Sequence, residues 1–218
     1  MDKRFAIFDM DGTLVDSMVY WQRLGREYLA SRGVTEGVDE VLERIKAMTM
    51  AESSALFIQT FGLSGTPETV EAEMNAVMDG HYRSDIPLKP GAADYLAALK
   101  ARGTKMCVAT ATPEPLARAC LKRLGVLEDF AFLLSCDEVA AGKDRPDVFF
   151  EAARRLGSAP AETAAFEDAL FAARTAKDAG FYTVGVYDAS GDGHWNELTA
   201  LADETVRDWG AAAERMKI

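Results

Sequence analysis

Positive charge is scarce in this 218-residue chain: 24 lysines and arginines face 35 aspartates and glutamates, for a formal net charge of −11. Nucleic-acid backbones are bound by clustered Lys and Arg, so a nucleic-acid partner is excluded, whereas a small anion needs only a local positive pocket. Cysteine is nearly absent as well. Cys107, Cys120 and Cys136 are odd in number and lack any C-x-x-C spacing, which argues against a disulfide framework or a zinc site. It leaves three small apolar side chains in a reducing compartment. Of the two histidines, His81 and His194, neither has a ligand partner at metal spacing, and both read as surface residues. Long apolar runs are missing too. Nothing approaches a membrane span, and the chain reaches Asp9 before any stretch long enough for a signal peptide. No membrane association and a cytoplasmic location are therefore expected.

What is present is the composition of an ordered globular chain, 49% hydrophobic and 27% charged, long enough for one large domain or a core with a smaller partner. Phe5 to Phe8 is continuously apolar rather than alternating, which predicts a short strand buried on both faces. Similar runs recur at Met106–Ala109, Ala164–Phe166 and Tyr182–Val186. Between them lie helical segments with clear stops: about Ala92 to Arg102 before Gly103, from Pro113 to Gly125, from Pro146 to Gly157, and from Asp168 to Gly180. Strands alternating with helices predict an α/β fold, a Rossmann-like parallel sheet covered on both sides, with ligands at the strand ends near Asp9, Thr110 and Glu167–Asp168. Residues 16–85 break the alternation. "DSMVYWQRLGREYLASRG" is an amphipathic helix closed by Gly33, and three more helical stretches follow before "SDIPLKPG". This block predicts a small all-helical cap, 16–85, inserted after the first strand into a core of 1–15 and 86–218. Its two short connections would be hinges.

The first strand ends in "FDMDGT", with Asp9 and Asp11 one residue apart. Like charges so close repel, and burial raises the cost of each. Keeping both points to a bound cation or a proton-transfer task. An EF-hand loop would need Gly where Leu14 stands, six residues in from Asp9. Elsewhere, Glu167–Asp168 is either an acidic helix start favoured by the dipole or a metal-ligand pair. Thr110 is a helix-capping hydroxyl or a phosphoryl contact. Lys143 is a solvated surface lysine or a buried counter-charge.

Taken together, "FDMDGTLVDS", "VATATP" (108–113), "GKDRPDVF" (142–149) and "FEDALFAARTAKDAG" (166–180) resemble the four motifs of the haloacid dehalogenase-like phosphohydrolases. Order, spacing and the helical insertion resemble the subgroup of β-phosphoglucomutase and many small-metabolite phosphatases. The resemblance implies an enzyme with Asp9 as nucleophile, forming an aspartyl-phosphate, and Asp11 as acid and base. Thr110, the Ala111 backbone and Lys143 would hold the phosphoryl group. Mg²⁺ would be the cofactor, bound by Asp9, the Asp11 backbone carbonyl and Asp168, with Glu167 at one remove. Such a division suits phosphoryl transfer, which needs an in-line nucleophile, a cation on the phosphoryl oxygens and an acid for the leaving group.

The chain also departs from its relatives. Ala169 and Ala172 stand where serine and glycine are usual in the fourth motif. Asp11 argues against dehalogenase chemistry, which runs without a second Asp. Lys46, the one lysine between residues 16 and 85, lacks the surroundings of a Schiff-base phosphonate hydrolase. In the mutases a cap histidine, arginine and lysine help hold or organise a bisphosphate ligand. In register here stand Trp21, Met50 and Met78, which offer a second phosphate no counter-charge. Trp21 and Met50 are then either apolar substrate contacts or cap-core residues. The expected function is a Mg²⁺-dependent phosphatase for a small phosphorylated metabolite, as a monomer or weak dimer. A sugar-phosphate mutase and a non-catalytic phosphate sensor are the alternatives.

Overall fold

The computed structural model describes residues 2–45 and 48–216; Lys46 lies outside them. Its elements in chain order are β1 Phe5–Phe8, α1 Met18–Ser31, α2 Val38–Ile45, α3 Met50–Phe61, α4 Pro67–Ser84, α5 Ala92–Ala101, β2 Lys105–Thr110, α6 Glu114–Arg123, β3 Leu133–Ser135, α7 Cys136–Val139, α8 Asp147–Leu156, β4 Thr163–Glu167, α9 Leu170–Asp178, β5 Tyr182–Val186, α10 Trp195–Leu201, β6 Glu204–Val206 and α11 Trp209–Arg215. The chain divides into two compact units, Met1–Met18 with Ile86–Ile218, and Val19–Asp85.

The first unit is a six-stranded sheet in the order β3-β2-β1-β4-β5-β6, every pair parallel. The order runs outward from β1 in one direction and from β4 in the other, so the topological switch falls between these two strands. Loops leaving the carboxyl ends of β1 and β4 diverge there and open a crevice. β1 is buried along its whole length because it has a strand on each side and helices on each face. Its residues alternate between those faces. Phe5 and Ile7 join Cys107, Ala165 and the apolar sides of α8 and α9. Phe8 stacks on Phe166 at 4.2 Å, and Trp209 and Tyr95 complete that second cluster. β3 and β6, unmarked in the sequence, are only three residues long. All three cysteines are buried and unbridged, and burial pushes the thiols of Cys107 and Cys120 up.

The stretches flanking the helical unit run side by side within the sheet unit. The Asp16 amide donates to Pro87 O, the Lys89 amide donates to Leu14 O, and Val15 pairs antiparallel with Leu88.

The second unit, α1 to α4, packs Leu24, Tyr28, Leu29, Phe57, Val70, Met74, Met78 and Tyr82 inward. Its helices are locally specified. Thr49 and Glu52 form a capping box on α3, and Gly62 closes that helix in the left-handed region. Thr66 caps α4, with Pro67 in its first turn. His81, expected at the surface, is partly exposed and has partners that the sequence did not show. It lies across the Tyr20 ring with one ring nitrogen 3.0 Å from Glu27 and the other 2.9 Å from Asp85. The i,i+4 placement of Asp85 and the packing of α4 on α1 bring both carboxylates to it. His194 is exposed. Among the described residues no helix is long and apolar enough to cross a membrane.

Candidate active site

The loop Met10–Val15 leaves β1 in a single tight turn, with the Leu14 and Val15 amides both donating to Met10 O and the Gly12 amide donating to Val15 O. Gly12 has φ +80°, and a Cβ on it would lie 2.8 Å from Asp168 Cγ. Only glycine lets this turn pass so close to the next strand end. Thr13 fastens the same contact, its hydroxyl donating to Asp168 Oδ1 at 3.0 Å. From below, the Trp209 indole N–H donates to Thr13 O at 3.0 Å. A residue near the end of the chain thus supports the turn at its beginning.

Parallel pairing sets the remaining positions. Phe8 is level with Val108 and Phe166, so Asp9, Thr110 and Glu167 emerge at one edge of the sheet. Asp9, Glu167 and Asp168 bring one carboxylate oxygen each within 4.8 Å of one another. Lys143, 7% exposed despite its charge, donates to Asp9 Oδ1 and to Glu167 Oε1, the latter at 2.8 Å. The sequence left a solvated lysine open as an alternative at 143; burial between two carboxylates removes it. Three carboxylates against one ammonium leave two negative charges in excess when all are ionised. Burial first, then Asp9, pushes Asp168 up to about 7. Burial raises Glu167 well above the carboxylate range even with Lys143 beside it. Burial works against the Lys143 ammonium, but Asp9 and Glu167 outweigh it and raise its pKa.

Asp9 Oδ2 is the decisive atom. It is buried and has no hydrogen-bond partner, one of two such side-chain atoms among the described residues. An anionic oxygen left so costs several kcal/mol, of order 1–3 for a neutral group and more for a charged one. A divalent cation held by Asp9, Glu167 and Asp168 would offset the charge excess and could take up that oxygen. The donor set is all oxygen, which suits a hard cation.

Asp11 is half-buried on the opposite side of the turn, where its Oδ2 accepts from the Thr112 hydroxyl at 2.7 Å. Thr110 is buried, and its Oγ1 accepts from the Thr112 amide at 3.0 Å. Ala111 between them is exposed. Thr112 and Trp209 were not anticipated. The only local signal for Thr112 is a second hydroxyl in "TATP", followed by Pro113, which disfavours helical backbone there. Lys89 and Asp188 were also missed; they form a half-buried ion pair at 2.6 Å beyond β5. Trp21 and Met50 are half-buried within the helical unit, Trp21 donating from Nε1 to Tyr82 Oη at 3.2 Å, and Met78 is part of that unit's core.

Residues 4–180 match the family described as haloacid dehalogenase-like hydrolase. The chain belongs to that family. It is therefore an enzyme of the hydrolase class. Relatives of this haloacid dehalogenase-like chain include β-phosphoglucomutase of Bacillus subtilis, 31% identical over 83% of this chain and 82% of the other. Validoxylamine A 7′-phosphate phosphatase of Streptomyces hygroscopicus subsp. limoneus is 30% identical over 94% and 93%. Among solved structures, one from Thermotoga maritima assigned as a β-phosphoglucomutase superposes with a TM-score of 0.81, covering 98% of each chain at 24% identity. That last likeness establishes the fold.

Proposed function

We propose that this chain is a Mg²⁺-dependent phosphatase that hydrolyses phosphate monoesters of small metabolites through an aspartyl-phosphate on Asp9. The observation that carries it is the Asp9 carboxylate: buried, gripped by Lys143 on one oxygen and unpartnered on the other, within an all-oxygen carboxylate cluster. Phosphatases among the relatives support the choice of reaction. Asp9, Asp168 and the Asp11 backbone carbonyl, with Glu167 alongside, would hold Mg²⁺, which would draw charge from the phosphoryl oxygens. Lys143 would neutralise the same oxygens. An Asp9 oxygen bonds to phosphorus as the ester P–O bond breaks, and Asp11 gives its proton to the departing oxygen. Water then adds to phosphorus, Asp11 takes the water's proton, and the Asp9–phosphorus bond breaks to release phosphate. The Thr110 hydroxyl, which accepts from Thr112, still has its own proton to donate to a phosphoryl oxygen.

Residues 16–85 serve in this scheme as a cap that excludes water and meets the leaving group, with the linkers as hinges. The uncharged Trp21, Met50 and Met78 favour hydrolysis over a mutase cycle, which must retain a bisphosphate. Location in the cytoplasm and a monomeric or weakly dimeric state complete the proposal.

The test is phosphate release from a panel of phosphorylated metabolites with Mg²⁺, with EDTA, and with Asp9→Asn. Release that needs metal and Asp9 supports the phosphatase. Conversion of β-glucose 1-phosphate to glucose 6-phosphate without net release would replace it with the mutase. Tight phosphate binding without turnover would replace it with a sensor.

A further inference from the structure

Thr112 has no part in the steps above, yet its hydroxyl touches the group that moves the proton. It is 6% exposed and donates to Asp11 Oδ2 at 2.7 Å. Two constraints fix it there. Its amide is held by Thr110 Oγ1 at 3.0 Å. Pro113 follows it and disfavours helical backbone at position 112. Asp11 sits on a different loop, 101 residues earlier in the chain, so this is a tertiary contact made at the strand ends of β1 and β2.

We infer that Thr112 is a positioning residue for proton transfer, its hydroxyl fixing the orientation of the Asp11 carboxyl through Oδ2. This role rests on Asp11 being the acid and base of the proposed phosphatase. A carboxyl that rotates freely spends most of its time misaligned, and fixing its orientation is worth rate only in steps where it moves a proton. In phosphorylation of Asp9, an Asp9 oxygen bonds to phosphorus, the ester P–O bond breaks and the Asp11 proton goes to the leaving oxygen. In dephosphorylation, Asp11 takes a proton from water as the water oxygen bonds to phosphorus and the Asp9–phosphorus bond breaks. The same chain of contacts links the two tasks. Thr110, which would touch the phosphoryl group, orders Thr112, and Thr112 orders Asp11.

The leaving group separates this role from a structural one. An alkoxide must be protonated as it departs, whereas p-nitrophenolate leaves unaided. Phosphorylation alone sets kcat/KM when it is irreversible, while kcat also includes dephosphorylation. Thr112→Val is therefore compared with wild type on glucose 6-phosphate, glycerol 3-phosphate and p-nitrophenyl phosphate, all with Mg²⁺. For the alkyl esters kcat/KM is expected to fall about 10- to 100-fold, the lower part of the range for acid–base assistance, and on p-nitrophenyl phosphate by less than about 3-fold. On the aryl ester kcat and KM should fall together, because water activation still needs Asp11. Thr112→Ser, which keeps the hydroxyl, should restore the alkyl esters to within about 3-fold of wild type. An equal loss of kcat/KM on both ester classes, no loss on either, or failure of Thr112→Ser to rescue would overturn the role. Wild type inactive on every ester would overturn the phosphatase itself and this role with it.

Discussion

Replacing Gly12 with alanine tests whether the turn after β1 must touch Asp168. The added Cβ would stand 2.8 Å from Asp168 Cγ, and nearer still to Oδ2. Carbon atoms pack comfortably at about 3.5–4.0 Å, so Asp168 must retreat by about 1 Å. The backbone contributes separately: φ +80° costs an L-residue about 1–2 kcal/mol. Two effects of different kind are expected. Stability should fall by that backbone cost, a Tm decrease of roughly 2–8 °C for a chain of this size. If Asp168 holds Mg²⁺ as proposed, displacing its carboxylate by about 1 Å should lower kcat about 100-fold and weaken Mg²⁺ binding in calorimetric titration. Gly125 supplies the control, since it has φ +77° with nothing within 4 Å of an added Cβ. Gly125→Ala should lose similar stability and keep full activity. Wild-type kcat and metal affinity in Gly12→Ala would refute the close approach, and an equal activity loss in Gly125→Ala would show that strain alone, not contact with Asp168, governs activity.

Lys143→Met leaves Asp9 and Glu167 buried without their shared cation, and breaking a buried pair costs about 3–5 kcal/mol. Its thermal midpoint should drop steeply without metal and recover in part with Mg²⁺; an unchanged midpoint in EDTA would deny the ion pair any role. Burial opposes the His81 imidazolium, but its hydrogen bonds to Asp85 and Glu27 outweigh that and raise its pKa above the ordinary 6.5. A raised cationic pKa contributes stability that is full below 6.5 and lost as pH rises through the folded value. Urea melts from pH 6 to 9 should lose at most about 1 kcal/mol in wild type, and His81→Gln should flatten that dependence. Ala169 stands at the N-cap of α9 with extended backbone and no side-chain hydrogen bond. Ala169→Ser should stabilise by about 1 kcal/mol, read as a higher Tm, and a lower Tm would show that the site has no room for the hydroxyl.

The central strands were legible because a strand buried on both faces must be apolar at every residue, as Phe5–Phe8 is. The helix ends were legible because glycine stops are local chemistry: Gly33, Gly125, Gly157 and Gly180 all take positive φ. β3 and β6 carry three residues each, too few for a period, and owe their strand geometry to neighbours already in place. At the site, Asp9 and Asp11 stood out as paired carboxylates at a strand end, whereas Lys143, Glu167 and Asp168 were singled out by the resemblance of their motifs. Trp209 did not stand out, because an aromatic residue in the final helix acquires its role from a carbonyl 196 positions away. The partners of His81 were missed for a related reason. Its Asp85 partner is four residues on, but Glu27 arrives from another helix.

The paired linkers bear on how such a chain folds. β1 finds its partner β2 only across the whole helical segment, a costly contact for a free chain. With Asp16 bonded to Pro87 and Lys89 to Leu14, that segment begins and ends at neighbouring points. Once its helices have collapsed on their own core, the long excursion is equivalent to a short one, and the entropy of joining β1 to β2 shrinks with the effective loop length. The sheet then assembles from strands that are distant in sequence but close in contour, with an insertion that behaves as a folded bead on a closed loop.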